Sequence, residues 1–217
     1  MLRPMSTGPR SVKISPDERG GWSSERPRRP GEEERPPRKP DVSVRGRVLS
    51  PSDRMRYSPG SLVVIVSADE AAAEAFATRV LEEPSALLAM SKIRALLQGK
   101  VPADQVEAKG GELRAAAATK RLAAGQSVVI TARALDAAER EPLVLLAAAH
   151  RRPRHLILLE VPRDAVSDDD HAPLAALRTA LDQGQLGEEG FMTSLRLGGA
   201  AVSELKRIVF APPPAED

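Results

Sequence analysis

The residues of this sequence with chemical reach gather in a few short strings. Ser67-Ala68-Asp69-Glu70-Ala71-Ala72-Ala73-Glu74 stands between a β-branched run and an alanine-rich segment. At such a place a chain leaving a strand starts a helix whose first amides need an anion or a carboxylate. Ser67 and Glu70 have the S-x-x-E spacing of a capping box, in which the two side chains satisfy those amides. His150-Arg151-Arg152-Pro153-Arg154-His155 is a basic cluster at the end of a predicted helix, suited to capping that helix's dipole or to touching a phosphate. Asp168-Asp169-Asp170-His171 brings carboxylates and an imidazole together, flanked by Arg163 and Arg178. Consecutive acids on a turn point apart and make a poor cation cage, so this run reads as a solvated loop and no metal is expected.

Other chemistries lack their residues. The chain has no cysteine, which removes disulfides, thiolate metal sites and thiol nucleophiles. Its three histidines have no paired metal spacing, and no serine sits in a nucleophile-elbow string. With three Phe, one Tyr and one Trp, a base-stacking platform is not expected.

The elements that must position these strings follow from composition. Residues 1–58 hold nine of the 19 prolines and 14 Lys and Arg against 8 Asp and Glu, a net of +6 on a chain whose total is +2. Runs such as Arg26-Pro27-Arg28-Arg29-Pro30 and Glu32-Glu33-Glu34 bury too little apolar surface to offset chain entropy. A disordered basic tail is therefore expected over 1–58, with Val42–Tyr57 as linker. From Pro59 the character changes. Ser61–Val66 is a continuous β-branched run of the kind buried on both faces of a parallel sheet. Helices are predicted at Glu70–Glu83, Ser85–Gln98, Asp104–Ala124, Asp136–Ala149 and Pro173–Leu181. Strands are predicted at Ser127–Thr131, His155–Val161, Thr193–Leu197 and Lys206–Phe210. This alternation gives an α/β class, a doubly wound and mostly parallel sheet flanked by helices over 59–213.

The order of these elements, with Pro59-Gly60-Ser61-Leu62-Val63-Val64-Ile65-Val66, Arg121-Leu122-Ala123-Ala124-Gly125-Gln126-Ser127-Val128-Val129-Ile130 and Glu189-Gly190-Phe191, resembles the kinase domain of bacterial polynucleotide kinase-phosphatase, among the adenylate-kinase-like P-loop NTPases. In active relatives the first strand enters GxxxxGK[ST], whose amides and lysine hold phosphates and whose hydroxyl holds magnesium. The matching string here, Ser67 to Glu74, has no glycine; Ala73 stands for the lysine and Glu74 for the hydroxyl. The D-x-x-R string that supplies a base is matched by Ser91-Lys92-Ile93-Arg94, and the strand-end acid by Thr131-Ala132-Arg133-Ala134. Both carboxylates are missing. The resemblance also puts the Asp168–His171 run, flanked by Arg163 and Arg178, where relatives carry a mobile arginine-bearing lid; with the basic cluster, Arg151, Arg152, Arg154 and Arg178 stand as candidate lid or basic contacts.

What the resemblance implies is a P-loop NTPase-like frame without its phosphoryl-transfer activity, a pseudoenzyme needing no cofactor and acting by protein binding, through the tail or the fold. Two alternatives stay open. One is a divergent nucleotide-dependent kinase using Lys92, Arg133 or Arg178; the other is a nucleic-acid-associated module built on the tail and the Arg151–Arg154 cluster. A cytoplasmic protein is expected, since no stretch approaches about 20 apolar residues and Met1-Leu2-Arg3-Pro4-Met5 lacks a signal-peptide core.

Overall fold

The computed structural model describes residues 40–212, so the expected tail over 1–39 lies outside the described residues. A central strand, β3 (Leu62–Val66), organises the rest. Its five side chains are buried, and they alternate between two layers as a pleated strand must. Leu62, Val64 and Val66 join one core with Ala118 and Leu122, Val144 and Ala147, and Leu174, Leu177 and Leu181. Those residues come from α3 (Val106–Ala123), α4 (Ala137–Ala149) and α5 (His171–Asp182). Val63 and Ile65 join the opposite core with Ala73, Phe76, Ala77 and Val80 of α1 (Glu70–Val80).

Beside β3 lie β4 (Val128–Ala132) and β5 (Arg154–Leu159), then β6 (Thr193–Leu197) and β1 (Arg47–Leu49). The order is β1-β6-β5-β3-β4 and every pair is parallel. From β3 the chain passes through α1, α2 (Met90–Leu97) and α3 to β4 on one side, then crosses back over β3 to β5 on the other. The reversal makes the carboxyl ends of β3 and β5 a topological switch point, the place where open parallel sheets leave a crevice for ligands.

Two expectations are corrected here. The linker over Val42–Tyr57 is part of the fold: β1 pairs with β6, while β2 (Arg54–Tyr57) pairs in parallel with β7 (Arg207–Phe210) in a second, two-stranded sheet. Val44 donates its amide to the Gly187 carbonyl at 2.9 Å, and a Cβ on Gly46 would come within 2.8 Å of the Gly187 nitrogen. Two glycines therefore let backbones cross where side chains would collide. The helix expected over Ser85–Gln98 is broken as well. Pro84–Ala86 form a single 3-10 turn, and Leu87 bridges to Val129, with the Leu88 amide on the Val129 carbonyl at 2.9 Å. Pairing the exposed edge of β4 outweighs helix propensity over those residues. A short α6 (Ala200–Glu204) was not anticipated. Among the described residues no helix is long and apolar enough to cross a membrane.

The small sheet is fixed to the large one by His155, which is 7 % exposed. Its ring lies 4.5 Å from that of Tyr57, Nδ1 is 2.8 Å from Thr193 Oγ1, and Nε2 is 3.3 Å from Ser61 Oγ. Burial, reinforced by the charge of Arg154, pushes the imidazole down to about 4 from 6.5. Between those values the unfolded chain binds a proton that the folded chain refuses, so stability is full above the unfolded value and is lost as pH falls through the window. The expected cost approaches about 1.4 kcal/mol per pH unit. Urea unfolding at stepped pH should show this slope in the native sequence and a flatter one in His155→Asn; equal slopes would refute the assignment.

Candidate functional site

The β3–α1 connection at the switch point is three residues long, Ser67-Ala68-Asp69. Ser67 is buried, and its amide extends the β3–β4 ladder to the Ala132 carbonyl at 3.2 Å. Its hydroxyl accepts from the Asp69 amide at 3.2 Å, and the Asp69 carboxylate accepts from the Ala72 amide at 3.0 Å. Asp69, extended at φ −109° and ψ 103°, is thus the N-cap of α1. The capping box expected from Ser67 and Glu70 is corrected: the helix starts at Glu70, whose side chain turns to Arg94 (3.6 Å) and Arg114 (3.9 Å) instead of back to the chain.

A connection this short does not curl its amides into a concave nest. Ala73, matched to the phosphate-binding lysine, is fully buried in the core under α1. Glu74, matched to the magnesium-binding hydroxyl, accepts from the Ser91 amide at 3.1 Å. That bond joins two of the positions singled out in the sequence. α2 begins after Ala89, which has no side chain to cap it, so Glu74 supplies the missing acceptor from the neighbouring helix.

Arg94 is not merely solvated. It holds Glu107 through two bonds, 2.6 and 3.0 Å, and these raise its own proton affinity while lowering that of the Glu107 carboxyl. Glu70, Glu74, Arg94, Glu107 and Arg114 therefore clamp the α2–α3 hairpin onto the start of α1. Arg114 also donates to the Thr131 carbonyl at 3.1 Å. Thr131 itself is fully buried, and its hydroxyl has no partner among the described residues.

Arg133, at the strand-end position, is paired with Asp170. Asp170 is 3 % exposed and accepts the Ser167 hydroxyl at 2.8 Å, so the solvated-loop reading holds for Asp168 and Asp169 and fails for Asp170. Arg178 is bound through Nε to Glu160 at 2.8 Å, and Arg196 reaches the same carboxylate at 2.8 Å. Burial raises the Glu160 carboxyl, but the hydrogen bonds and charges of the two arginines outweigh it and leave it below the usual range. Sequence reading missed Glu160, Arg196, Glu107 and Arg114. For Glu160 a signal was present: it is the first residue beyond a buried parallel strand, where functional and ion-pairing groups collect.

The basic cluster lies elsewhere. Arg154 and Pro153 lead into β5, at the amino ends of the strands and so at the opposite edge of the sheet from Ser67. Arg152 donates to the Leu122 carbonyl at 2.8 Å, capping α3 and not its own helix. Arg154 is buried and donates to the Gly190 carbonyl at 2.7 Å. Arg151 alone is exposed, at φ +55°. All three therefore lie at the edge of the sheet away from the Ser67–Asp69 connection. Among the described residues no group of three or more acids and histidines could hold a metal ion.

Glu74→Ala is expected to cost about 1 kcal/mol through the lost cap and to speed hydrogen exchange at the first amides of α2 while α4 keeps its rate. Unchanged exchange at Ser91 would show that the bond does not anchor the hairpin. No protein-family model matches the chain, and no curated protein matches it significantly.

Proposed function

We propose that the chain is a P-loop-kinase-like pseudoenzyme that works by binding another protein. The observation that carries this reading is the β3–α1 connection, three residues long and capped by its own Asp69 carboxylate where a nucleotide-binding relative would present amides to phosphate. The parallel sheet with its switch point at that connection supports the frame. Ser91, with its amide held by Glu74, and Arg133, with its guanidinium held by Asp170, support the loss of base and strand-end acid. Leu96 on α2 and Leu113 on α3 are 64 % and 49 % exposed, two separate apolar side chains on the hairpin that a protein partner could cover.

The kinase alternative needs several cations converging on a triphosphate, and two of its candidates, Arg133 and Arg178, each already share their charge with a carboxylate, Asp170 and Glu160. The nucleic-acid alternative loses Arg152 and Arg154 to backbone carbonyls. Calorimetric titration with ATP and magnesium is the test. Affinity weaker than about 1 mM, with no hydrolysis, is expected; micromolar, magnesium-dependent binding abolished by Lys92→Ala or Arg178→Ala would replace the pseudoenzyme with a divergent kinase.

A further inference from the structure

A cavity of about 470 Å³ opens between α3 and α4 over the carboxyl half of β4. Its floor is Ile130, Ala132 and Ala134, and Leu143 and Leu146 of α4 form one wall. The opposite wall, on α3, is made by Gly111 and Ala115. The volume falls in the range of small-molecule sites, and Glu70 of α1 and Arg133 beyond β4 bring its mouth to the carboxyl edge of the sheet.

Gly111 is the informative residue. Glycine inside a helix is unfavourable relative to alanine, so it needs a local reason. Its neighbour Gly110 has one, because a Cβ there would run into the Met90 side chain of α2. A Cβ on Gly111 would meet nothing within 4 Å. Helix packing does not require this glycine, and its bare backbone forms part of the cavity wall.

The mouth carries charge as well as shape. Arg114 and Arg133 both line it; Arg114 spends part of its guanidinium on the Thr131 carbonyl and on Glu70, and Arg133 part of its own on Asp170. The two acids at the rim are engaged, Glu139 with the Asp136 amide at 3.2 Å and Glu70 with Arg94 and Arg114. Their presence disfavours a dianion, and a monoanion would use the guanidinium edges that Asp170 and Glu70 leave open. The wall is also fixed in advance. Arg140, 3 % exposed, donates to the Ala134 and Leu135 carbonyls at 3.0 and 2.6 Å and holds Glu189 through two bonds, so the turn after β4 cannot collapse inward.

We propose that this cavity binds a small amphipathic monoanion, a flat apolar body between Gly111, Ala132 and Leu146 with its carboxylate at Arg133 and Arg114. The inference does not depend on what became of the phosphate loop.

A titration with 3-phenylpropionate, followed by backbone amide shifts and matched against the neutral 3-phenylpropanamide, tests it. Saturable shifts at Gly111, Ala115, Ala134 and Leu146 are expected, with the carboxylate binding about tenfold more tightly than the amide. Arg133→Gln should erase that preference while leaving the amide's affinity intact. Gly111→Leu, and separately Ala115→Leu, should abolish binding of both compounds while leaving the spectrum folded. Shifts elsewhere or none, equal affinity for acid and amide, or unimpaired binding by both filled variants would each overturn the proposal.

Discussion

An α-helix that begins at the mouth of a parallel sheet presents bare amides and the positive end of its dipole to the switch point, and something negative must answer them. In this chain the answer is internal. Asp69 takes the Ala72 amide and Ser67 takes the Asp69 amide. A side-chain cap of this kind contributes about 1 kcal/mol. Its larger effect is geometric, since a residue committed to capping is not available to wrap a ligand. The next acids along the same helix face outward and carry the constraint onward. Glu70 reaches Arg94 and Arg114, and Glu74 reaches the Ser91 amide. The α2–α3 hairpin is therefore hung from the start of α1.

Charge is treated in the same manner around the rest of the carboxyl edge. Glu160 gathers Arg178 and Arg196, Asp170 holds Arg133, and Glu189 holds the buried Arg140. Pairs exposed on one side add little to stability individually. The Arg140–Glu189 pair is different, because leaving either partner alone would strand a charge in a poorly solvated place. Together these contacts tie the sheet edge with paired charges, and the cavity between α3 and α4 opens onto apolar surface beside them.

Much of this frame was legible in the sequence for simple reasons. Val63 to Val66 and Val128 to Ile130 are runs that only a two-sided burial explains, and Asp136 with Glu139 marks the start of α4. Patterns carried by long-range contact were not legible. Val42 to Tyr57 has too few apolar residues to announce a strand, and forms two, β1 and β2, because β6 and β7 offer edges to pair with. Leu87 leaves helical geometry for the same reason. At the site, the absence of glycine and lysine between β3 and α1 could be read directly, but the residue that caps α1 could not. Ser67 and Asp69 both fit an N-cap by type, and where β3 ends decides between them. Arg152 looked like a cap for its own helix, yet the chain turns at Arg151 and delivers it to α3.

The claim on which the account rests is that the start of α1 is already answered by the protein's own carboxylates. The most direct measurement is the response of the Glu70, Ala71 and Ala72 amide resonances to inorganic tripolyphosphate, in the native chain and in Asp69→Ala. No saturable shift is expected in the native chain, with a weak response only when the cap is removed. A saturable, micromolar response of those three amides in the native chain would contradict it.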